Sequence, residues 1–111
     1  MSHKSFITAH VLDSTIGKPA TGVEVVLADA KGEEIARAVT NEDGRVPELG
    51  PQTLEAGEYR ITFGVGDYFA GQQKASFYPR ATIEFTVEAG QEHYHIPLLL
   101  SPFAYSTYRG S

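Results

Sequence analysis

The sequence predicts an all-β protein, an antiparallel sandwich of seven to eight short strands with one short helix. Three observations carry that prediction. Short runs rich in β-branched and aromatic side chains alternate apolar with polar positions, the period of a half-buried strand. Gly, Pro, Asn and Asp separate these runs, each favouring turns for its own backbone reason. Only one segment carries a helix-start signal. At 111 residues the chain is expected to form a single domain over residues 1–111, large enough for one core and too small for a separate binding lobe.

The elements follow in order. Ser5 to Leu12 carries Phe6, Ile7, Thr8 and Val11 and reads as the first strand, and Asp13 to Ala20 supplies Asp, Ser, Gly and Pro for a connection. Gly22 to Ala28 sets Val23, Val25 and Leu27 against Glu24 and Val26. The Lys31-Gly32 tip then returns the chain through Glu34 to Thr40, with Ile35 and Val39. In Asn41-Glu-Asp-Gly44 the Asp-Gly step accepts the positive φ of a tight turn. Glu58 to Val65 points Tyr59, Ile61 and Phe63 one way and Arg60 and Thr62 the other. Asp67 is placed to cap a short helical turn over Tyr68 to Gln73. Thr82 to Val87, His93 to Leu100 and, after Ser101-Pro102, Ala104 to Ser111 complete the strands.

Composition removes several function classes. Nine Lys and Arg against fourteen Asp and Glu leave a net charge of −5, which argues against nucleic acid, since phosphate backbones need clustered cations. With no cysteine there is no disulfide framework, thiolate nucleophile or sulfur-ligated zinc. The longest apolar run, Ile96 to Leu100, is far short of a membrane span and is broken by Pro97. The start, MSHKSFITAHVLD, lacks an apolar signal core, so a cytoplasmic location is expected.

Any catalysis must therefore run on imidazole, guanidinium and hydroxyl groups. Of the four histidines, His3 falls in a terminus where a solvated side chain is the plain expectation. His10 sits between Ala9 and Val11 in an apolar strand, a setting that suits a packed histidine as well as a base. His93 and His95 share one face of a strand, which fits an acid–base site, or zinc if a third ligand joined them. Without HExxH or a carboxylate at ligand spacing no metal is expected, and His95, farther from the Gly90 turn, is preferred over His93. Arg45 follows the Asp43-Gly44 turn, where its planar fork could hold two oxygens of a flat ligand. The tail keeps Tyr105, Tyr108 and Arg109, so it is expected to pair in the sheet or dock in an interface.

The tail is also specific. Tyr108-Arg-Gly-Ser111, preceded by His93-Tyr-His-Ile-Pro-Leu-Leu-Leu-Ser-Pro102, resembles the 5-hydroxyisourate hydrolase family, transthyretin-related proteins of urate breakdown. Ile7 to Asp13, Gly17 to Ala20, Thr40 to Arg45 and Gly66 to Phe69 are similar to further segments of that family. The resemblance implies a transthyretin-like sandwich that hydrolyses 5-hydroxyisourate to 2-oxo-4-hydroxy-4-carboxy-5-ureidoimidazoline, with no metal or organic cofactor. It implies a homotetramer whose sites lie in a cleft between dimers. It carries substrate contact to His10, Arg45, Tyr108 and Arg109, and catalysis to His10, Arg45, His95 and Ser111. The competing reading is a transthyretin-type carrier of an apolar aromatic ligand; a ligand-free structural sandwich is a third. One scaffold hosts several activities, so the fold alone does not separate them.

Overall fold

The computed structural model describes residues 6–110, in which nine strands and one helix form two sheets. In the first sheet, β1 (Ile7–Asp13) lies between β2 (Lys18–Pro19) and β8 (Tyr94–Ser101), and β9 (Ala104–Thr107) pairs with β8. A two-residue strand, β5 (Arg45–Val46), shares with β2 the edge of β1 that β8 does not occupy. The second sheet runs β4 (Glu34–Val39), β3 (Glu24–Asp29), β6 (Gly57–Phe63) and β7 (Ala81–Val87), and α1 (Val65–Ala70) links β6 to β7.

The period-2 pattern does what it predicts. Ile7, Ala9 and Val11 of β1 and Ile96, Leu98 and Leu100 of β8 turn inward and join Val25, Leu27, Ile61 and Phe63 in one buried cluster. Their neighbours Thr8, His10, Leu12, His95 and Leu99 are half-buried on the opposite face. That outer face, left by the alternation, holds the candidate site.

Four details differ from the sequence reading. The pair β1–β8 is parallel, in register from Ile7 with Tyr94 to Asp13 with Leu100, whereas the other pairs are antiparallel. The 13–20 connection and the residues after Gly44 each contribute a two-residue strand, because β1 has a free edge whose backbone groups need partners. β1 itself extends through Asp13, which is fully buried: its carboxylate accepts hydrogen bonds from the Tyr68 hydroxyl at 2.8 Å and the Thr15 amide at 3.0 Å. The helix starts before Asp67. Backbone carbonyls satisfy the amides at its start, Glu24 accepting from Gly64 and Pro79 from Gly66, so Asp67 lies inside the first turn and caps nothing.

Candidate active site

Three strands of the first sheet bring the site together. On β1 the alternation puts Thr8 and His10 on the outer face; on β8 it puts His95 there. The parallel register sets Thr8 opposite His95 and His10 opposite Pro97. On the other edge of β1, β5 sets Arg45 opposite His10.

The loop before Arg45 is built to hold that position. The Asn41 side-chain carbonyl accepts from the amides of Asp43 at 2.9 Å and Arg45 at 3.0 Å, and Gly44 donates to the Asn41 carbonyl. Gly44 has φ +71°, and a Cβ there would strike the Val11 carbonyl oxygen, the strand that carries His10. The Gly44 carbonyl in turn accepts from the Val11 amide at 2.7 Å.

The His10 and His95 rings lie 6.5 Å apart between centroids, inclined by 29°. Both imidazoles are held below their ordinary titration range. For His10 the main cause is desolvation, followed by the Arg45 charge, while a hydrogen bond to the Asp43 backbone and the Asp43 carboxylate pull the other way. For His95 the main cause is again desolvation, followed by Arg45, His10 and His93. At neutral pH the face therefore presents two uncharged imidazoles beside one guanidinium.

The Thr8 hydroxyl lies 2.7 Å from Nδ1 of His95 and 3.0 Å from Nε2 of His93. Gly110 packs on the other side of the His95 ring. Its amide donates to the His95 carbonyl at 2.8 Å, and a Cβ at 110 would come within 2.6 Å of His95 Cδ2. The tail thus stays in the sheet to its described end, as expected, although β9 stops at Thr107. Among the described residues no group of three or more His, Cys, Asp or Glu is arranged to hold a metal ion.

The structure brings together His10, Arg45 and His95 of the residues predicted from sequence. Two others, Tyr108 and Arg109, lie on the tail side of His95 and line a cavity with it. The Arg109 guanidinium lies over the Tyr94 ring, 4.4 Å from its centroid, and donates to the Gln91 side chain at 3.1 Å. Tyr108 is exposed and borders an apolar cavity of about 240 Å³ with Phe85, His95 and Ile96. Ser111 and His3 lie outside the described residues. Thr8 and Gly110 were missed as functional positions: a strand threonine and a tail glycine carry no chemical signal until a partner strand is laid beside them.

A family model described as the HIUase/Transthyretin family matches residues 7–110. This chain belongs to that family. A 5-hydroxyisourate hydrolase of Deinococcus radiodurans is 44% identical over 119 residues, covering 100% of both chains. The structure of Klebsiella pneumoniae 5-hydroxyisourate hydrolase superposes with a TM-score of 0.89 at 40% identity, covering 96% of this chain and 100% of that one. Sea bream transthyretin in complex with thyroxine superposes with a TM-score of 0.87 at 32% identity over 95% of this chain and 94% of its own. A 5-hydroxyisourate hydrolase and a thyroxine-bound transthyretin thus share one fold with this chain, and the side chains on the outer face must separate the two readings.

Proposed function

We propose that this protein hydrolyses 5-hydroxyisourate to 2-oxo-4-hydroxy-4-carboxy-5-ureidoimidazoline, as the names of its hydrolase relatives suggest. The observation that carries the reading is the pairing of His10 with Arg45 across β1 and β5. Burial and the Arg45 charge keep His10 neutral at neutral pH, and a neutral imidazole carries a lone pair on one ring nitrogen. It is a base beside a fixed cation.

In this reading His10 takes a proton from water, or from the Ser111 hydroxyl, as oxygen attacks a ring carbonyl. Arg45 holds the planar heterocycle and stabilises the oxyanion, in a position set before the reaction begins. His95 supplies a hydrogen bond to the departing ring nitrogen, and the proton that His10 took up passes to that nitrogen as the ring opens. A carrier of an apolar aromatic ligand calls for apolar walls, which this face does not offer.

The exposed face needs a cover to exclude water, and a homotetramer would provide one, with each tail, Tyr108 to Ser111, completing a site between dimers. In that assembly Tyr108 and Arg109 would reach the substrate of a neighbouring subunit. No helix among the described residues is long and apolar enough to cross a membrane. In this reading the reaction runs in the cytoplasm.

The test generates 5-hydroxyisourate in place with urate oxidase and follows its near-ultraviolet decay with and without the protein. Accelerated decay is expected. Decay at the spontaneous rate, together with displacement of a fluorescent probe by thyroxine, would move the assignment to a carrier.

A further inference from the structure

A threonine hydroxyl has one proton to give and two neighbouring imidazole nitrogens to satisfy. Thr8 Oγ1 lies 2.7 Å from His95 Nδ1 and 3.0 Å from His93 Nε2. A hydroxyl has one proton, so when one ring nitrogen receives it the other must donate its own. Of the two possible orders, the one in which His93 Nε2–H donates to Thr8 and Thr8 donates to His95 Nδ1 leaves His95 with an N–H for the site.

We propose that Thr8 is a positioning residue that fixes the tautomer of His95, holding its proton on Nε2 so that the ring meets the substrate as a donor and leaves His10 as the only base. The assignment rests on the hydrolase reading above and deepens it. It separates the two imidazoles, which the sequence left interchangeable, by what each ring's second nitrogen touches. In this order His95 has Nδ1 filled by the Thr8 hydroxyl proton, whereas His10, neutral beside Arg45, keeps a lone pair.

The surroundings keep His95 neutral, the state in which a tautomer has meaning. Arg45 from β5 and His10 from β1 face it, His93 stands beyond Thr8, and burial adds to their effect. Gly110 packs close to the opposite side of the ring, where an added Cβ would strike Cδ2. His93 lies one strand period further from the row that carries His10 and Arg45, where it sets the direction of the Thr8 hydroxyl.

The test combines spectroscopy on the unaltered protein with two substitutions. Nitrogen-15 spectra of the histidine rings at neutral pH should show His95 protonated at Nε2 and bare at Nδ1, with His93 protonated at Nε2. A His95 that carries its proton on Nδ1 would overturn the proposal. Thr8→Val, which keeps the β-branched shape and removes the hydroxyl, should mix the two His95 tautomers. It should also lower kcat about tenfold with KM nearly unchanged, a part of the roughly 100-fold to 10,000-fold that a positioned acid or base contributes. Thr8→Ser should restore both the single tautomer and kcat. A Thr8→Val enzyme with undiminished kcat would overturn the proposal, as would a Thr8→Ser enzyme no better than it. Should the unaltered protein leave 5-hydroxyisourate untouched, the hydrolase reading falls while the ring spectra still decide the tautomer.

Discussion

His10 and Arg45 face each other directly across the β1–β5 pair, so the base and the cation assigned to one carbonyl are spaced by backbone register. Substituting His10→Gln or Arg45→Ala should each lower kcat/KM by about 100-fold or more, the usual loss when a base or an oxyanion-stabilising group is removed. Both side chains lie on the outer face, away from the core, so circular dichroism and urea midpoints should stay near those of the unaltered protein. Arg45→Lys should recover only part of the rate, because an ammonium cannot hold two oxygens in one plane.

The depressed imidazoles predict a pH dependence with a definite sign. Desolvation and Arg45 favour neutral His10, so kcat/KM should be flat through pH 7 and fall on the acid side with a midpoint below the ordinary value of 6.5. Arg45→Ala, whatever its residual rate, should move that midpoint upward. Stability follows the same logic: the unfolded chain takes up a proton at its ordinary value and the folded chain only below it, so the contribution is complete above 6.5 and declines as pH falls. The unaltered protein should therefore lose stability faster than His10→Gln on acidification, so urea midpoints that nearly match at neutral pH separate below 6.5. A constant difference would contradict the shift.

Gly110→Ala should damage activity more than stability. The added methyl would sit 2.6 Å from His95 Cδ2 and 3.1 Å from Pro97 Cγ, forcing the imidazole or the tail to move. A fall in kcat with an intact fold by circular dichroism is expected; full activity would show that the tail does not fix the ring.

Removing Tyr108 to Ser111, or extending the chain beyond Ser111 with a tag, should abolish hydrolysis while the sandwich stays folded, since the core cluster draws nothing from these residues. Activity assays on the truncated and tagged proteins decide this, and a fully active tagged protein would remove the tail from the site.

Tyr68→Phe should act on stability alone. It deletes the hydroxyl that donates to fully buried Asp13 and leaves that carboxylate with the Thr15 amide. The expected cost is about 1.5–3 kcal/mol, that of a lost hydrogen bond to a charged group, read from urea unfolding. Tyr68 meets β1 on its buried side, opposite the face of His10, so kcat should not change.

Much of the fold could be read locally. Val25 and Leu27, or Ile61 and Phe63, announce their inward direction through alternation that depends only on strand geometry. The sequence points to the helix but three residues late, because Asp67 resembles a cap and the real caps are carbonyls of Glu24 and Pro79, distant in sequence. His10, Arg45 and His95 were identified by residue type and resemblance. Arg109 carries the same kind of signal, yet within the protomer its guanidinium stacks on Tyr94, a contact that depends on the path of the tail.

The sequence by itself determined the period of each strand, the turns that punctuate them, the exclusion of thiol chemistry and the set of polar groups available for hydrolysis. Tertiary structure alone decided which of those groups meet. Strand alternation fixes the face on which a side chain points, but pairing is set by the collective burial of both sheets, and it joins residues as far apart as Thr8 and His95. The parallel register of β1 on β8 therefore makes Thr8 part of the site, and the short strand β5 brings Arg45 to His10.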